Sequence, residues 1–258
     1  MKFKIDNKIF EKFPGLIVGV IVAKNINNKG INEEIITLIR EEEKRIKENF
    51  DTETLSQNPK ISFWRKAYSL FGAKPKKYKS SVENLYRMIL QGIQLRHINK
   101  IVDIYNYISV KHMVPVGGDD INKVQGDIIL KFATDDEKFV ELNSQEIKNP
   151  RPGEVVYMDD KEVLCRRWNW RECDKTKMTE ETKNVCLVVE GLPPVTKEEI
   201  EKIICELANL IKKFCDGKTE TFVLDKNNQE IEISTGTWTS ASFDLHLRYS
   251  TLRSAWRI

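Results

Sequence analysis

The chain has 258 residues, 40% of them hydrophobic, and 42 Lys and Arg against 39 Asp and Glu give a formal charge of +3. That length can bury a real core in one large domain, and the near balance of charge excludes a general polycation, so any affinity for nucleic acid must come from local clustering. Five cysteines without a C-x-x-C pair and three scattered histidines argue against a disulfide framework, a zinc site or Cys-His nucleophile chemistry. No metal and no cofactor is therefore expected. The longest apolar stretch, Gly15 to Ala23, falls short of the ~18 residues of a membrane span and is rich in β-branched residues, so it reads as a buried strand. Acidic and basic residues precede it and no small-residue cleavage pattern follows, so no signal peptide is expected and the cytoplasm is the default location.

In chain order, residues 14–26 form that strand. Asn32 then caps a helix whose apolar positions are Ile35, Ile36, Ile39, Ile46 and Phe50, with a solvated charged face opposite. From Ile61 to Lys79, six basic residues (Arg65, Lys66, Lys74, Lys76, Lys77 and Lys79) occur without an acidic one, interleaved with Phe63, Trp64, Tyr68, Phe71 and Tyr78. Basic groups attract a phosphate backbone and rings stack on unpaired bases, so the segment is a candidate RNA-binding surface. The same aromatics also fit the buried stripe of an amphipathic helix, and both readings stay open. Ser80 and Glu83 form a capping box that opens a helix ending near Gly92.

The central stretch, Ile101 to Asp120, has Ile101, Ile104, Tyr105 and Ile108 at helical spacing, with Asp103, Asn106 and Ser109 off that face. It runs through Pro115 into a Gly-Gly-Asp-Asp turn, where Gly117 and Gly118 leave room for a ligand to approach or simply close a helix. Short strands are expected at Asp127–Ala133, Lys138–Leu142 and Glu154–Met158. In Val163–Glu172, strand alternation puts Arg166, Trp168 and Trp170 on one face and Arg167, Asn169 and Arg171 on the other. Guanidinium groups there suit phosphate or carboxylate clamping and the indoles offer flat walls, although stacking at a sheet edge explains them equally. Val185–Val189 reads as another buried strand. Thr196 and Glu199 open a long amphipathic helix ended by Gly217, and Phe222–Leu224 pairs with Ile231–Ser234 in a hairpin. Residues 235–258 lack lysine, unlike the Lys-, Ile- and Asn-rich chain before them, and read as a non-native extension outside a single domain spanning 1–234.

Between Trp64 and Leu192, an ordered set of segments (WRKAYSLFGAKPKKYKSSVENL, INKIVDIYNYISV, PVGGDDI, GEVVYMDD, LCRRWNWRE and TKNVCLVVEGLPP) resembles the B3/B4 domain, the editing module of the bacterial phenylalanyl-tRNA synthetase β chain. It resembles the free-standing B3/B4 proteins still more. The resemblance implies an α+β domain of the B3/B4 type, with a central mixed or antiparallel sheet flanked by helices. In the synthetase this domain hydrolyses tyrosine wrongly esterified to the phenylalanine tRNA. The implied function here is tRNA-directed: a trans-acting editing hydrolase, with a non-catalytic RNA-binding module and a small-molecule, amino-acid binder as alternatives. The chain is not a complete phenylalanine–tRNA ligase, and tRNA or aminoacyl-tRNA is the implied partner, with no membrane.

An aminoacyl ester is already activated, so hydrolysis needs no protein nucleophile. Backbone N–H groups around Gly117 and Gly118 are candidate oxyanion donors, and Asn106 or Asp119 candidates to orient water. Gly117, Gly118, Arg166, Trp168, Asn169, Trp170 and Arg171 are the candidate substrate-binding set. Two departures stand out. The family's histidine in this turn falls on Gly117. Its glutamate for the tyrosine hydroxyl aligns near Val188, with no carboxylate in the strand before Glu190, so tyrosine specificity does not carry over.

Overall fold

The computed structural model describes residues 1–234, and the expected extension at 235–258 lies outside the described residues. The chain opens with β1 (Lys2–Ile5), which turns Phe3 and Ile5 inward, and the short α1 (Asn7–Lys12). The apolar run forms β2 (Ile17–Lys24). α2 (Glu33–Asn49) starts where expected, the Asn32 side chain accepting from the N–H groups of Glu34 and Ile35. Glu43 departs from its solvated face: it is buried, pairs with Arg40 and accepts from the Leu95 N–H.

α3 (Pro59–Leu70) and α4 (Ser81–Leu90) follow, with Ser80 capping α4 through the Glu83 N–H. The Glu83 carboxylate does not serve a capping box. It is fully buried and paired with Arg65 at 2.8 Å and Arg87 at 2.9 Å. Glu83→Ala would leave two partly buried guanidinium groups without a counter-charge, and a loss of about 3 kcal/mol is expected. Urea unfolding reads it directly. The exposed pair Lys44–Glu48 is the control, expected to contribute under ~0.5 kcal/mol.

α5 (Lys100–His112) stops at Met113, in the left-handed conformation at φ 53, before reaching Pro115. The helix is buried nearly all round. Asp103 and Ser109, placed on a polar side by their spacing, are inside, Asp103 held by His97 and the Ile98 N–H and Ser109 donating to the Val114 carbonyl. The expected Gly-Gly-Asp-Asp turn is instead β3 (Val116–Asp120). Glycine disfavours strands in general, but here close approach demands it: a Cβ on Gly118 would lie 2.1 Å from the Cys186 carbonyl oxygen.

β4 (Ile128–Phe132), β5 (Val155–Met158), β6 (Val163–Arg166) and the two-residue β7 (Arg171–Glu172) come next. The strand expected at Lys138–Leu142 amounts to isolated bridges, Val140 to Ile147 and Glu141 to Cys173. β8 (Val185–Gly191), α6 (Lys197–Cys215), β9 (Lys218–Leu224) and β10 (Glu230–Glu232) complete the described chain. Thr196 caps α6, while the Glu199 carboxylate binds Lys60. Asp216, at φ 54, takes the left-handed position expected of Gly217, and Gly217 instead lets Ile26 pack close. The turn Asp225–Asn228 forms, but its flanks do not pair with each other. β9 joins β2 and β10 joins β1.

The result is the expected α+β class with two sheets where one was expected. One is antiparallel, in the order β3-β8-β2-β9; the other is mixed, in the order β10-β1-β4-β5-β6-β7, with β1 and β4 parallel. Ile21, Leu187 and Val189 pack against α2, α4, α5 and α6 on one side of the four-stranded sheet. Val18, Val20, Cys186 and Val188 face the six-stranded sheet on the other. α6 seats closely because Gly19 has no side chain: a Cβ there would be 2.4 Å from Ile204. No helix among the described residues is long and apolar enough to cross a membrane.

Candidate functional site

A cavity of about 380 Å³ opens between the two sheets at the β3–β8 edge. Residues 186, 188 and 190 of β8 project into this layer, and antiparallel pairing puts Gly117 beside Val188 and Asp119 beside Cys186 on the same face. The missing side chain of Gly117 therefore enlarges the cavity, and Glu172 lies against it: a Cβ on Gly117 would be 3.1 Å from Glu172 Oε1.

Four carboxyl groups line this inner chamber, of which Glu141 is paired with Arg171. Glu190 is 1% exposed and accepts from the Tyr157 hydroxyl at 2.6 Å, Trp168 Nε1 at 2.6 Å and Asn169 Nδ2 at 2.7 Å. Burial outweighs these bonds and pushes its carboxyl up to about 7. Asp119 accepts from the Thr176 hydroxyl and is pushed up by burial to about 6. Glu172 is half-buried as a residue, and burial of its carboxyl, then the neighbouring Asp119, push it to about 8. Cys165 also lines the cavity, but burial drives its thiol well above the usual range, so it is no thiolate nucleophile near neutrality.

The segment Arg166–Arg171 does not alternate as a strand. Arg166 and Arg171 pair across a tight hairpin, and Arg167 (φ 49) and Trp168 (φ 68) both take left-handed backbone conformations. Such geometry is strained for non-glycine residues and persists only where surroundings hold it. Arg166 is thereby removed from the candidate binding set: it is buried in a bidentate pair with Glu154, at 2.8 and 3.0 Å, and donates to the Lys148 carbonyl. Arg167 lies 3.8 Å from the Tyr78 ring and 4.6 Å from the Trp170 ring and also reaches Glu154. Trp168, Asn169, Trp170 and Arg171 do line the cavity, as do Gly117 and Gly118. Asn169 Oδ1 accepts from the Tyr68 hydroxyl, tying α3 to the site.

A second, outer chamber of about 280 Å³ adjoins the first and shares Ser81, Val116, Trp170, Arg171 and Glu172 with it. Lys77, Lys79 and Asn106 stand here, so the two water-orienting candidates are divided, Asn106 outside and Asp119 inside. The other basic residues are elsewhere. Arg65, Lys66 and Lys76 border a shallow groove along α3, Arg65 already bound to Glu83, and Lys74 is exposed on the following loop. Of the interleaved aromatics, Trp64, Tyr68 and Phe71 are core, whereas Phe63 and Tyr78 reach the surface. Glu172, Glu190 and Ser81 were not among the residues marked from sequence. A lone carboxylate closing the apolar run VCLVV was the available signal for Glu190.

Residues 63–216, more than half of the chain, match the family model described as the B3/4 domain. The phenylalanine–tRNA ligase beta subunit of Fusobacterium nucleatum subsp. nucleatum is 29% identical over 120 residues, 46% of this chain and 14% of that one. The corresponding subunit of Wolbachia sp. subsp. Brugia malayi is 39% identical over 57 residues, 22% of this chain and 7% of that one. The chain thus spans a small part of the length of these relatives. An N-terminal fragment of the phenylalanyl-tRNA synthetase beta subunit from Pyrococcus horikoshii is 16% identical with a TM-score of 0.43, covering 84% of this chain and 49% of that chain. With the family's segments running from α3 through β8 into α6, and building both chambers between them, the chain belongs to the B3/4 domain family.

Proposed function

We propose that this protein is a trans-acting deacylase that hydrolyses the ester of a mischarged aminoacyl-tRNA in the cytoplasm. The observation that carries this reading is the pairing of two chambers of opposite character. The inner one is walled by aromatics and carboxyl groups, and the outer one is bordered by Lys77, Lys79 and Arg171. An aminoacyl group suits the first and the phosphate-bearing end of a nucleic acid the second. The ester joining them then lies at the shared wall, beside β3. There the Glu190 N–H donates to the Pro115 carbonyl and the Asp120 N–H to the Thr176 carbonyl. By alternation this puts the Gly118 N–H on the open edge of β3, as the donor for the developing oxyanion. Asp119 from the inner wall and Asn106 from the outer wall are the side chains that orient the attacking water.

Single-turnover deacylation of a panel of correctly and wrongly charged tRNAs tests the reading. Release of one mischarged amino acid is the expected result. The Lys77→Ala, Lys79→Ala double variant should weaken tRNA binding and reduce its salt slope by about 2. No hydrolysis across the panel with salt-sensitive binding retained points to a non-catalytic RNA-binding module. Salt-insensitive binding of free amino acid alone points to a small-molecule binder.

A further inference from the structure

We propose that Glu172 is the proton-transfer residue of this site, taking a proton from the attacking water and returning it to the departing ribose oxygen, while the Ser81 hydroxyl holds that ribose. The inference rests on the deacylase reading above. Among the four carboxyl groups of the inner chamber, Glu190 is saturated by three donors, Asp119 is bound to Thr176 and Glu141 is paired with Arg171. The Glu172 carboxyl has no hydrogen-bond or ion-pair partner among the described residues, and it alone of the four also lines the outer chamber. It stands where the halves of an aminoacyl-nucleotide would meet.

Ser81 is an independent sign that a polar group belongs at this junction. Its hydroxyl is shielded from solvent and has no hydrogen-bond partner among the described residues, while its N–H is held by Asn169 Oδ1. A buried hydroxyl without a partner costs stability unless a ligand completes it. Ser81 also lines both chambers. Two unsatisfied groups, one carboxyl and one hydroxyl, thus share a wall with the open edge of β3. Gly117 makes this possible, since any side chain there would crowd Glu172 Oε1.

In the step, the ionised Glu172 carboxylate accepts a proton as the water oxygen bonds to the ester carbonyl carbon. The tetrahedral oxyanion forms at the Gly118 N–H. Collapse breaks the bond from that carbon to the ribose oxygen, which takes the proton from Glu172, leaving a free amino acid and a free ribose hydroxyl. The charged and titratable groups around Glu172 are Asp119 of β3, Tyr157 of β5, Cys165 of β6, Cys186 and Glu190 of β8, Tyr105 of α5, Arg171 with its partner Glu141, and Lys77 and Lys79 across the outer chamber. The hydrolysis rate should therefore rise with pH and level off near the value to which Glu172 is pushed, about 8.

The test measures single-turnover hydrolysis of the charged-tRNA panel from about pH 6 to 9, with spontaneous hydrolysis subtracted, for wild type, Glu172→Gln, Glu172→Asp and Ser81→Ala. Glu172→Gln is expected to slow hydrolysis about 100-fold and remove the rising limb, with tRNA affinity unchanged and the urea midpoint unchanged at about pH 5, where the Glu172 carboxyl is protonated. Glu172→Asp should restore part of the limb. Ser81→Ala should slow the reaction while keeping the limb, which guards the conclusion should the Gln variant fold poorly. Wild-type activity that Glu172→Gln retains with the same pH profile overturns the role of Glu172 and leaves the deacylase reading intact. No hydrolysis by wild type of any charged tRNA overturns both.

Discussion

Trp168→Ala is expected to lower stability by about 4 kcal/mol and the thermal midpoint by roughly 12 °C. The indole is fully buried, with ring centroids 4.7 Å from Phe13 and 4.9 Å from Trp64, and its N–H is one of the three donors to Glu190. Its removal opens a large hole between the sheets and frees a backbone that adopts φ 68 only because the ring is anchored. Trp168→Phe keeps most of the contact and loses the donor, so a cost of about 1–2 kcal/mol is expected. Thermal melts of the two variants separate packing from hydrogen bonding. An Ala variant within ~1 kcal/mol of wild type would show that the ring is not part of the core. Substitution at this position reports on folding before it reports on any ligand.

Glu190→Ala has the second large effect, about 3 kcal/mol, because it leaves the Tyr157 hydroxyl, the Trp168 N–H and the Asn169 amide without their acceptor. Its size depends on pH. Glu190 is raised from 4.5 to about 7 in the folded protein, so the folded state holds the proton more tightly than the unfolded chain does. The corresponding stability is complete below the unfolded value and is lost as pH rises through 7. Asp119, raised from 3.8 to about 6, and Glu172, raised from 4.5 to about 8, act in the same direction. Wild-type urea midpoints are therefore expected to fall from about pH 5 to 8.5, and the loss caused by Glu190→Ala to be larger at the acid end. A midpoint that rises over that range would show that these carboxyl groups are not raised.

Local signals in the sequence carried well where one helix turn or one apolar run decided the structure. Asn32, Ser80 and Thr196 cap the helices they were expected to cap, and the two most apolar runs are the two central strands of one sheet. What failed depended on partners distant in the chain. Gly117 and Gly118 look like a turn until β8, some seventy residues later, supplies the other half of a ladder. Arg166 looks like a ligand clamp until Glu154 faces it, and Glu83 looks like a capping residue until Arg65 approaches from another helix. The candidate site was legible as a segment, Trp168 to Arg171, and as a pair of glycines. Its carboxyl groups were not, because an isolated Glu gives no sign of burial until the strand carrying it is placed against a second sheet.

The last two strands, joined by a short turn, complete different sheets: β9 is the outer strand beside β2, and β10 is the outer strand beside β1. Both sheets thus begin near the start of the chain and are completed near the end of its described part, with Ile233 donating to the Met1 carbonyl. During synthesis neither sheet can close until Lys218 to Glu232 has left the ribosome. A growing chain must hold the apolar faces of β1 and β2 with an open edge until that segment is made, the condition in which slow, non-local strand pairing exposes a protein to aggregation.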